Sequence, residues 1–217
     1  MQTQVAGVTL RLLTQRAAYW PEAGLLLVAD LHLGKAQSFR RLGVPVPSGT
    51  TAAALDRLDQ CIVQTGARGI VFLGDLIHSA RARSPAAWAA VAAWRDRHPD
   101  LALTLVRGNH DRHAGDPPAE WRVHCVEEPW QPDPRHALLL AHHPDPVPGA
   151  YVLAGHVHPA VWLGGRAHDR LRLPCFHFGP AVGLLPAFGG FTGAQVVARG
   201  PEDRVFVVHP EGVAALP

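Results

Sequence analysis

One pattern constrains this chain more than any other: a short apolar run ends at a cluster of polar side chains, and this happens five times. Short apolar runs bounded by glycine and proline are typical of strands buried on both faces. The predicted strands are Leu25–Ala29, Gly69–Leu73, Leu101–Val106, Ala137–Ala141 and Tyr151–Ala154. Because strand carboxyl ends meet at one edge of an α/β sheet, we expect the polar clusters to converge there.

Helical stretches separate the early strands. Thr51–Gln64 carries its apolar residues at helical spacing and is followed by Gly66, a typical helix stop. Pro85–His98 has Ser84 as a candidate N-cap and proline at its first position. The second half is richer in strands, with further candidates at Phe176–Phe178 and Val205–Val208. The alternation predicts an α/β protein of two packed sheets flanked by helices, forming a single domain over residues 1–217.

Composition excludes several classes of protein. With 47% hydrophobic and 18% charged residues in 217, the chain can bury a core and does not resemble a disordered segment. It has neither a membrane-length apolar run nor the pattern of a signal peptide, so we expect a cytoplasmic protein without membrane contact. Its three cysteines form no CxxC pair, which argues against a disulfide framework or a thiolate zinc site.

The polar clusters have the composition of a two-metal hydrolytic centre. Such a centre needs about seven oxygen and imidazole ligands around two ions about 3.5–4 Å apart. As possible ligands the clusters provide two aspartates, Asp30 and Asp75, with an asparagine and several of the 14 histidines. In order they are Asp30-Leu31-His32, Gly74-Asp75, Gly108-Asn109-His110-Asp111, His142-His143 and Gly155-His156-Val157-His158. Each motif alone also fits an ordinary capped turn or loop.

Taken together and in this order, the motifs resemble those of the calcineurin-like metallophosphoesterases. The resemblance implies a four-layer αββα sandwich with the site at the sheet edges. It also implies two divalent ions, with manganese as the family expectation and iron or zinc also compatible with these ligands. One ion would be held by Asp30, His32 and His158, the other by Asn109, His142 and His156, with Asp75 bridging both. His142 is preferred to His143 because it ends the strand, and His143 is expected to face the substrate or solvent.

The resemblance further implies in-line attack on a phosphodiester by a metal-bridging hydroxide. Loss of an alkoxide is assisted by a proton donor on the far side of the phosphorus. His110 matches the family's general acid. Asp111 either orients the His110 ring or caps a turn.

A narrower resemblance concerns the substrate. Segments 29–35, 39–49, 72–79 and 185–193 resemble the bacterial ligase-associated DNA damage response endonuclease, which is encoded with a DNA ligase, a helicase and an exonuclease. This implies a DNA repair endonuclease in functional association with a ligase and helicase. Cations near the metal motifs could contact phosphates, although each could be an ordinary solvated side chain. The candidate substrate-binding residues are Lys35, Arg40, Arg41, Arg81, Arg83, Arg112 and His143.

Two other functions stay open on the sequence. The same site would serve a phosphodiesterase or phosphomonoesterase acting on nucleotides. A degenerate fold that serves only as a protein-binding scaffold would have lost a ligand or the acid, and all of them are present here. The chain has no sequence-reading DNA module, so we expect binding to single-stranded or structured DNA that does not depend on sequence. Five tryptophans could stack on bases, although two of them, Trp88 and Trp94, lie in a predicted helix and are expected in the core; the other three are Trp121, Trp130 and Trp162.

Overall fold

A computed structural model describes residues 1–47, 49–80, 84–164 and 170–217. Its strands form two sheets. In the first, strands β1 to β7 lie in chain order; β1 to β4 pair antiparallel, and β4 to β7 pair parallel. The bounds are β1 Gln2–Val5, β2 Val8–Leu12, β3 Ala18–Trp20, β4 Leu25–Ala29, β5 Gly69–Leu73, β6 Ala102–Val106 and β7 Val123–Val126.

Helices connect the parallel strands of the first sheet. They are α1 Lys35–Arg41, α2 Thr50–Thr65, α3 Pro85–Arg97 and α4 Asn109–Ala114. Ser84 caps α3 by accepting a hydrogen bond from the Ala87 amide, and Gly66 ends α2 in a left-handed conformation. Apolar residues of α2 and α3, such as Leu58 and Trp94, pack with Ile70 and Phe72 on one face of this sheet.

The second sheet has the order β13-β10-β11-β12-β9-β8, with β14 joining β11 and β15 joining β14. The strands β8, β9 and β12 run parallel, whereas β10 and β11 form an antiparallel ribbon. The bounds are β8 Leu138–Ala141, β9 Tyr151–Ala154, β10 Pro159–Gly164, β11 Arg170–Phe178, β12 Val182–Leu184, β13 Gln195–Val196, β14 Arg204–His209 and β15 Gly212–Ala215.

A core between the sheets holds them together. Leu27, Val71 and Leu73 of the first sheet pack with Leu140 and Phe176 of the second, and all of them are fully or almost fully buried. Each such side chain contributes about 1.5–3 kcal/mol by leaving water. The shared core aligns the carboxyl ends of β4, β5 and β6 with those of β8 and β9. The polar clusters of both sheets therefore meet at one edge of the sandwich.

The predicted α/β sandwich is confirmed. The five predicted strands and both predicted helices are present, with bounds that differ by one residue at most. Among the described residues the helices belong to the first-sheet half of the chain. The three N-terminal strands and α1 were not predicted, because their short runs carry little periodicity. No helix in the described part of the chain is long and apolar enough to cross a membrane.

Candidate metal centre

The predicted ligands stand at strand ends in an unusual backbone conformation. Asp30, His32, Asp75, His156 and His158 have φ between +49° and +67°. Non-glycine residues rarely adopt this left-handed region, which costs about 1–3 kcal/mol each and is concentrated at functional sites. The ligand atoms of these residues lie close to one another at the edge where the two sheets meet. The strained residues of the fold therefore lie at the place where the candidate ligand atoms come together.

The first group of donors contains Asp30, His32 and His158, whose ligand atoms lie within 4.8 Å of one another. Asp30 is fully buried; its Oδ2 accepts a hydrogen bond from the His156 amide, while its Oδ1 has no hydrogen-bond partner in the described part of the chain. His158 Nε2 lies 3.4 Å from that Oδ1. The Nδ1–H of His158 donates to the Gly193 carbonyl, which leaves Nε2 as a lone-pair donor facing the carboxylate.

His32 is the most enclosed histidine of this group. It is 5% exposed, and neither of its ring nitrogens has a hydrogen-bond partner among the described residues. Burial, followed by the positive charge of Lys35, lowers the pKa of His32 far below its ordinary value, so the ring is neutral. A buried neutral imidazole without a hydrogen bond is costly unless a cation uses its lone pair.

Asp75 lies between the two groups of donors. Its Oδ2 is 3.7 Å from His32 Nε2, and its Oδ1 is 3.5 Å from His142 Nε2. Oδ1 also accepts a hydrogen bond from the His110 amide, and the backbone carbonyl of Asp75 accepts one from the His32 amide. Burial raises the pKa of the Asp75 carboxyl. A carboxylate with one oxygen toward each group of histidines has the position expected of a bridging ligand.

The second group is organised by His142, which is fully buried. Its Nδ1–H donates to the Leu73 carbonyl at 3.1 Å, and burial lowers its pKa, so the neutral ring presents the lone pair of Nε2. That nitrogen lies 2.8 Å from Asn109 Oδ1 and 3.0 Å from His156 Nδ1. An amide oxygen and a lone-pair nitrogen repel each other unless a cation lies beside them.

These observations fit divalent ions. The donor atoms are imidazole nitrogens and carboxylate or amide oxygens, the set that suits manganese, iron or zinc. Several of them are buried without a protein partner, namely Asp30 Oδ1 and both ring nitrogens of His32. Ligand atoms of Asp30, Asp75 and His142 also lie within 4.8 Å of one another, so the two groups of donors adjoin. The site therefore has the charge and the ligand chemistry that two adjacent cations require.

Glycines of the motifs allow the ligands to approach one another. A Cβ atom on Gly108 would lie 2.5 Å from Asp75 Oδ1, although the backbone of Gly108 has an ordinary conformation. A Cβ on Gly155 would lie 2.7 Å from Asp30 Oδ2. Both distances are shorter than real Cβ contacts, so any larger residue would displace a candidate bridging or terminal ligand.

His110, the predicted general acid, lies at the open side of this cluster. Its Nδ1–H donates to the His78 carbonyl at 2.7 Å, and its Nε2 lies 3.8 Å from Asp75 Oδ2. Its ring stacks on that of His78, with centroids 5.1 Å apart and an interplanar angle of 24°. Burial, followed by Lys35 and His110, lowers the pKa of His78 to about 4, so His78 is neutral at pH 7. His78 was not a predicted site residue, yet it holds the His110 ring through both contacts.

Of the roles that the sequence leaves open for Asp111, its contacts fit the cap of a turn. Asp111 is 1% exposed, and its two carboxylate oxygens accept hydrogen bonds from the backbone amides of Ile77 and Gly108. Burial raises its pKa to about 6. Asp111 therefore joins the start of α4 to the loop after β5. The carbonyl and ring of His78 orient His110 instead.

Glu128 is a further site residue that the sequence did not reveal. Its Oε2 accepts the amide hydrogens of both His142 and His143, and its Oε1 lies 2.8 Å from His143 Nδ1. Burial would raise its pKa, but the hydrogen bonds from His143 and His142 hold the pKa of Glu128 below its ordinary value. The His143 ring in turn lies 4.6 Å from that of His156. His142 thus faces the other ligands, while His143 forms the rim.

The predicted substrate cations are arranged unevenly. Lys35 is partly buried close to the centre: burial lowers its pKa, and the charges of Asp30 and Asp75 oppose that shift. Arg40 donates to the carbonyls of Val46 and Pro47, and Arg41 is exposed at the end of α1. Arg112 lies 3.1 Å from Glu127 and 3.6 Å from Glu128, so its charge is already paired. Arg81 and Arg83 lie outside the described residues.

Comparisons with known proteins establish the family. The profile of the calcineurin-like phosphoesterase family matches residues 24–141, more than half of the chain. The chain belongs to the calcineurin-like phosphoesterases. The crystal structure of a Pseudomonas putida nuclease is similar to this phosphoesterase over 100% of this chain and 99% of the other, with 42% identity and a TM-score of 0.86. The predicted family and the prediction of a metal-dependent hydrolase are thereby confirmed.

A more distant structure and the curated sequences add nothing to this assignment. A phosphoesterase from E. coli is 16% identical, with 87% of this chain and 90% of the other covered, and its TM-score of 0.41 carries no weight here. No curated protein sequence gives a significant match to this phosphoesterase.

Proposed function

We propose that this phosphoesterase is a manganese-dependent DNA endonuclease that hydrolyses phosphodiesters at the edge where the two sheets meet. The observation that carries the proposal is the 42% identity, over the full length of both chains, to a protein described as a nuclease. The geometry supports it, since the candidate acid His110 and the rim residue His143 have side chains that are 37% and 35% exposed. An accessible rim suits a long polymeric substrate better than a closed pocket does.

We assign the metal ligands as the sequence predicts them. Asp30, His32 and His158 hold one ion, and Asn109, His142 and His156 hold the other, with Asp75 between them. When bound, two such cations lower the pKa of water toward neutrality and stabilise negative charge on a phosphoryl group. The hydrogen bonds at Leu73 and Gly193 keep the histidines in the tautomers that such binding requires.

His110 is assigned to the leaving group. Because its Nδ1–H is donated to the His78 carbonyl, Nε2 is the nitrogen that faces the centre. In the protonated ring this Nε2–H can pass its proton to a departing alkoxide, a contribution of about 10²- to 10⁴-fold in comparable enzymes. His78 restrains the ring by stacking, which keeps the donor directed at the reacting phosphate.

The biological setting is part of the same proposal. A role in DNA repair and functional association with a DNA ligase and helicase are supported by the resemblance of segments 29–35, 39–49, 72–79 and 185–193 to the repair endonuclease. Manganese is the expectation for the wider metallophosphoesterase family, and a cytoplasmic location is the expectation from the sequence pattern. Hydrolysis of a nucleotide diester or monoester by the same ligands is the competing function.

One experiment separates these functions. Purified protein and an Asp75→Ala variant are incubated with covalently closed single-stranded DNA circles and manganese, and with a chromogenic phosphodiester in parallel. A circle has no end, so only an endonuclease can linearise it. We expect wild type alone to produce linear DNA and to hydrolyse the chromogenic ester. Intact circles together with an active chromogenic reaction would reject the nuclease and favour nucleotide substrates.

A further inference from the structure

A groove leads away from the metal centre on the side of His158. It has a volume of about 150 Å³ and is lined by Arg16, His158, Arg172, Thr192 and Gly193, among others. We call it the arginine groove. Typical small-molecule pockets have about 300–1,000 Å³, so this groove suits a phosphate or a sugar better than a whole ligand. His158 belongs both to the groove and to the candidate metal centre, which makes the two continuous.

The groove carries positive charge that the described protein does not neutralise. Within the described residues, Arg16 and Arg172 form no ion pair with a carboxylate, whereas Arg107 and Arg112 on another part of the rim both do. Arg16 is partly buried, and burial lowers its pKa. The positive charge of Arg16 also acts on Arg57, so two like charges lie near each other. Such an arrangement favours an anion.

An exposed aromatic ring lies next to the groove, beside its lining residue Arg172. Trp162 is 51% exposed, while the other five tryptophans are buried or partly buried. It pairs directly with Arg172 across β10 and β11, and the guanidinium carbon of Arg172 is 6.0 Å from its ring centroid. An exposed tryptophan beside an arginine is the combination that stacks on a base and contacts its phosphate.

The register of the ribbon places these groups in a line. Ala160 pairs with Pro174, two residues along from the Trp162 and Arg172 pair, so these four side chains share one face of the sheet. His158 precedes β10 and lies four residues from Trp162, a distance of about 13 Å along an extended strand. The line from His158 to Trp162 is therefore longer than a single phosphate group.

We propose that the arginine groove and Trp162 bind the single strand of DNA next to the scissile phosphate, with Arg16 and Arg172 at its backbone and Trp162 under a base. This inference rests on the proposed nuclease function and extends it by assigning the path of the strand. Stacking on a π-face is tolerant of sequence, which agrees with a substrate that is not read base by base. The proposed path leads away from Arg112, whose charge is already paired with Glu127 and Glu128.

The test measures binding without hydrolysis. Full-length wild type and the variants Trp162→Ala, Trp162→Phe, Arg172→Gln and Arg16→Gln are titrated into a fluorescein-labelled single-stranded oligonucleotide in EDTA, and anisotropy is recorded at several salt concentrations. Arg97→Gln, which removes an exposed arginine at the end of α3, is the matched control. Hydrolysis of the chromogenic diester and linearisation of circles are measured in manganese.

We expect Trp162→Ala to bind about 5- to 100-fold more weakly and Trp162→Phe to retain most of the affinity. Arg172→Gln and Arg16→Gln should each reduce the salt slope by about 0.7. Hydrolysis of the small chromogenic diester should fall less in each variant than DNA binding does, and Arg97→Gln should leave both at the wild-type value. If wild type cuts circles while Trp162→Ala and Arg172→Gln bind DNA as tightly as Arg97→Gln does, the proposed path of the strand is wrong and the proposed nuclease function is retained. Wild type that hydrolyses the chromogenic diester but neither binds nor cuts DNA overturns both.

Discussion

The candidate centre has a buried half and an exposed half. Asp30, His32, Asp75 and His142 are at most 5% exposed, and their atoms face one another with few other partners. His110, His143, His156 and His158 lie toward the surface, where several are held by carbonyls or by Glu128. The buried half can hold cations whatever the substrate is. In the exposed half, His156 and His158 are also assigned as ligands, whereas His110 and His143 face the substrate, so changes at His110 and His143 should depend on which phosphoester is tested.

The largest expected effect is in the buried half. Asp30→Asn removes an anionic ligand and keeps the shape of the side chain, so we expect hydrolysis of both the chromogenic diester and DNA to fall more than about 100-fold. That exceeds the 10- to 100-fold loss typical of residues that only support a ligand. Initial rates in manganese and metal content after dialysis are the measurements. Asp56→Asn, an exposed aspartate on α2, is the matched control. Activity within tenfold of wild type would place Asp30 outside the centre.

A selective effect is expected in the exposed half. His110→Ala should slow DNA cleavage by about 10²- to 10⁴-fold, because an alkoxide leaves poorly without a proton. The chromogenic diester releases a nitrophenolate, which leaves without a proton donor. Its hydrolysis should therefore change much less. The ratio of the two rates is the measurement, and exposed His124→Ala on β7 serves as control. Equal losses on both substrates would contradict the role of general acid.

A substitution of Glu128 tests whether a residue that only positions His142 and His143 has a different effect from a metal ligand. Glu128→Ala removes the acceptor of the His142 and His143 amides, so we expect manganese affinity to weaken by about 10- to 100-fold with turnover at saturating metal largely retained. Activity is measured against manganese concentration. The neighbouring Glu127→Ala removes only exposed ion pairs and should leave that curve unchanged. Superimposable curves for the two variants would remove Glu128 from the site.

The same division explains what the sequence could predict. The ligand motifs follow strands with clear apolar runs. The sequence of residues 25–158 was therefore enough to predict which residue types form the site and that they meet at one edge of the sheets. The strained backbone of Asp30 or His156 leaves no mark in a single sequence, since it is imposed by the fold. Glu128 was missed because it lies 14 residues before His142, with no motif around it. The role of Asp111 stayed open on the sequence because a carboxylate next to His110 can either contact that ring or cap a turn, and only the folded loop shows which backbone amides it accepts.

The smallest expected effect concerns Asp111, and it tests the capping role. Asp111→Asn leaves one oxygen to accept the amides of Ile77 and Gly108, so one hydrogen bond is lost in a buried place. We expect the free energy of unfolding to fall by about 1–3 kcal/mol, measured by urea denaturation, with Asp100→Asn as an exposed control. The ratio of DNA to chromogenic rates should stay at the wild-type value, because His78 still orients His110. A selective loss of DNA cleavage, like that of His110→Ala, would instead return Asp111 to the proton-donating machinery.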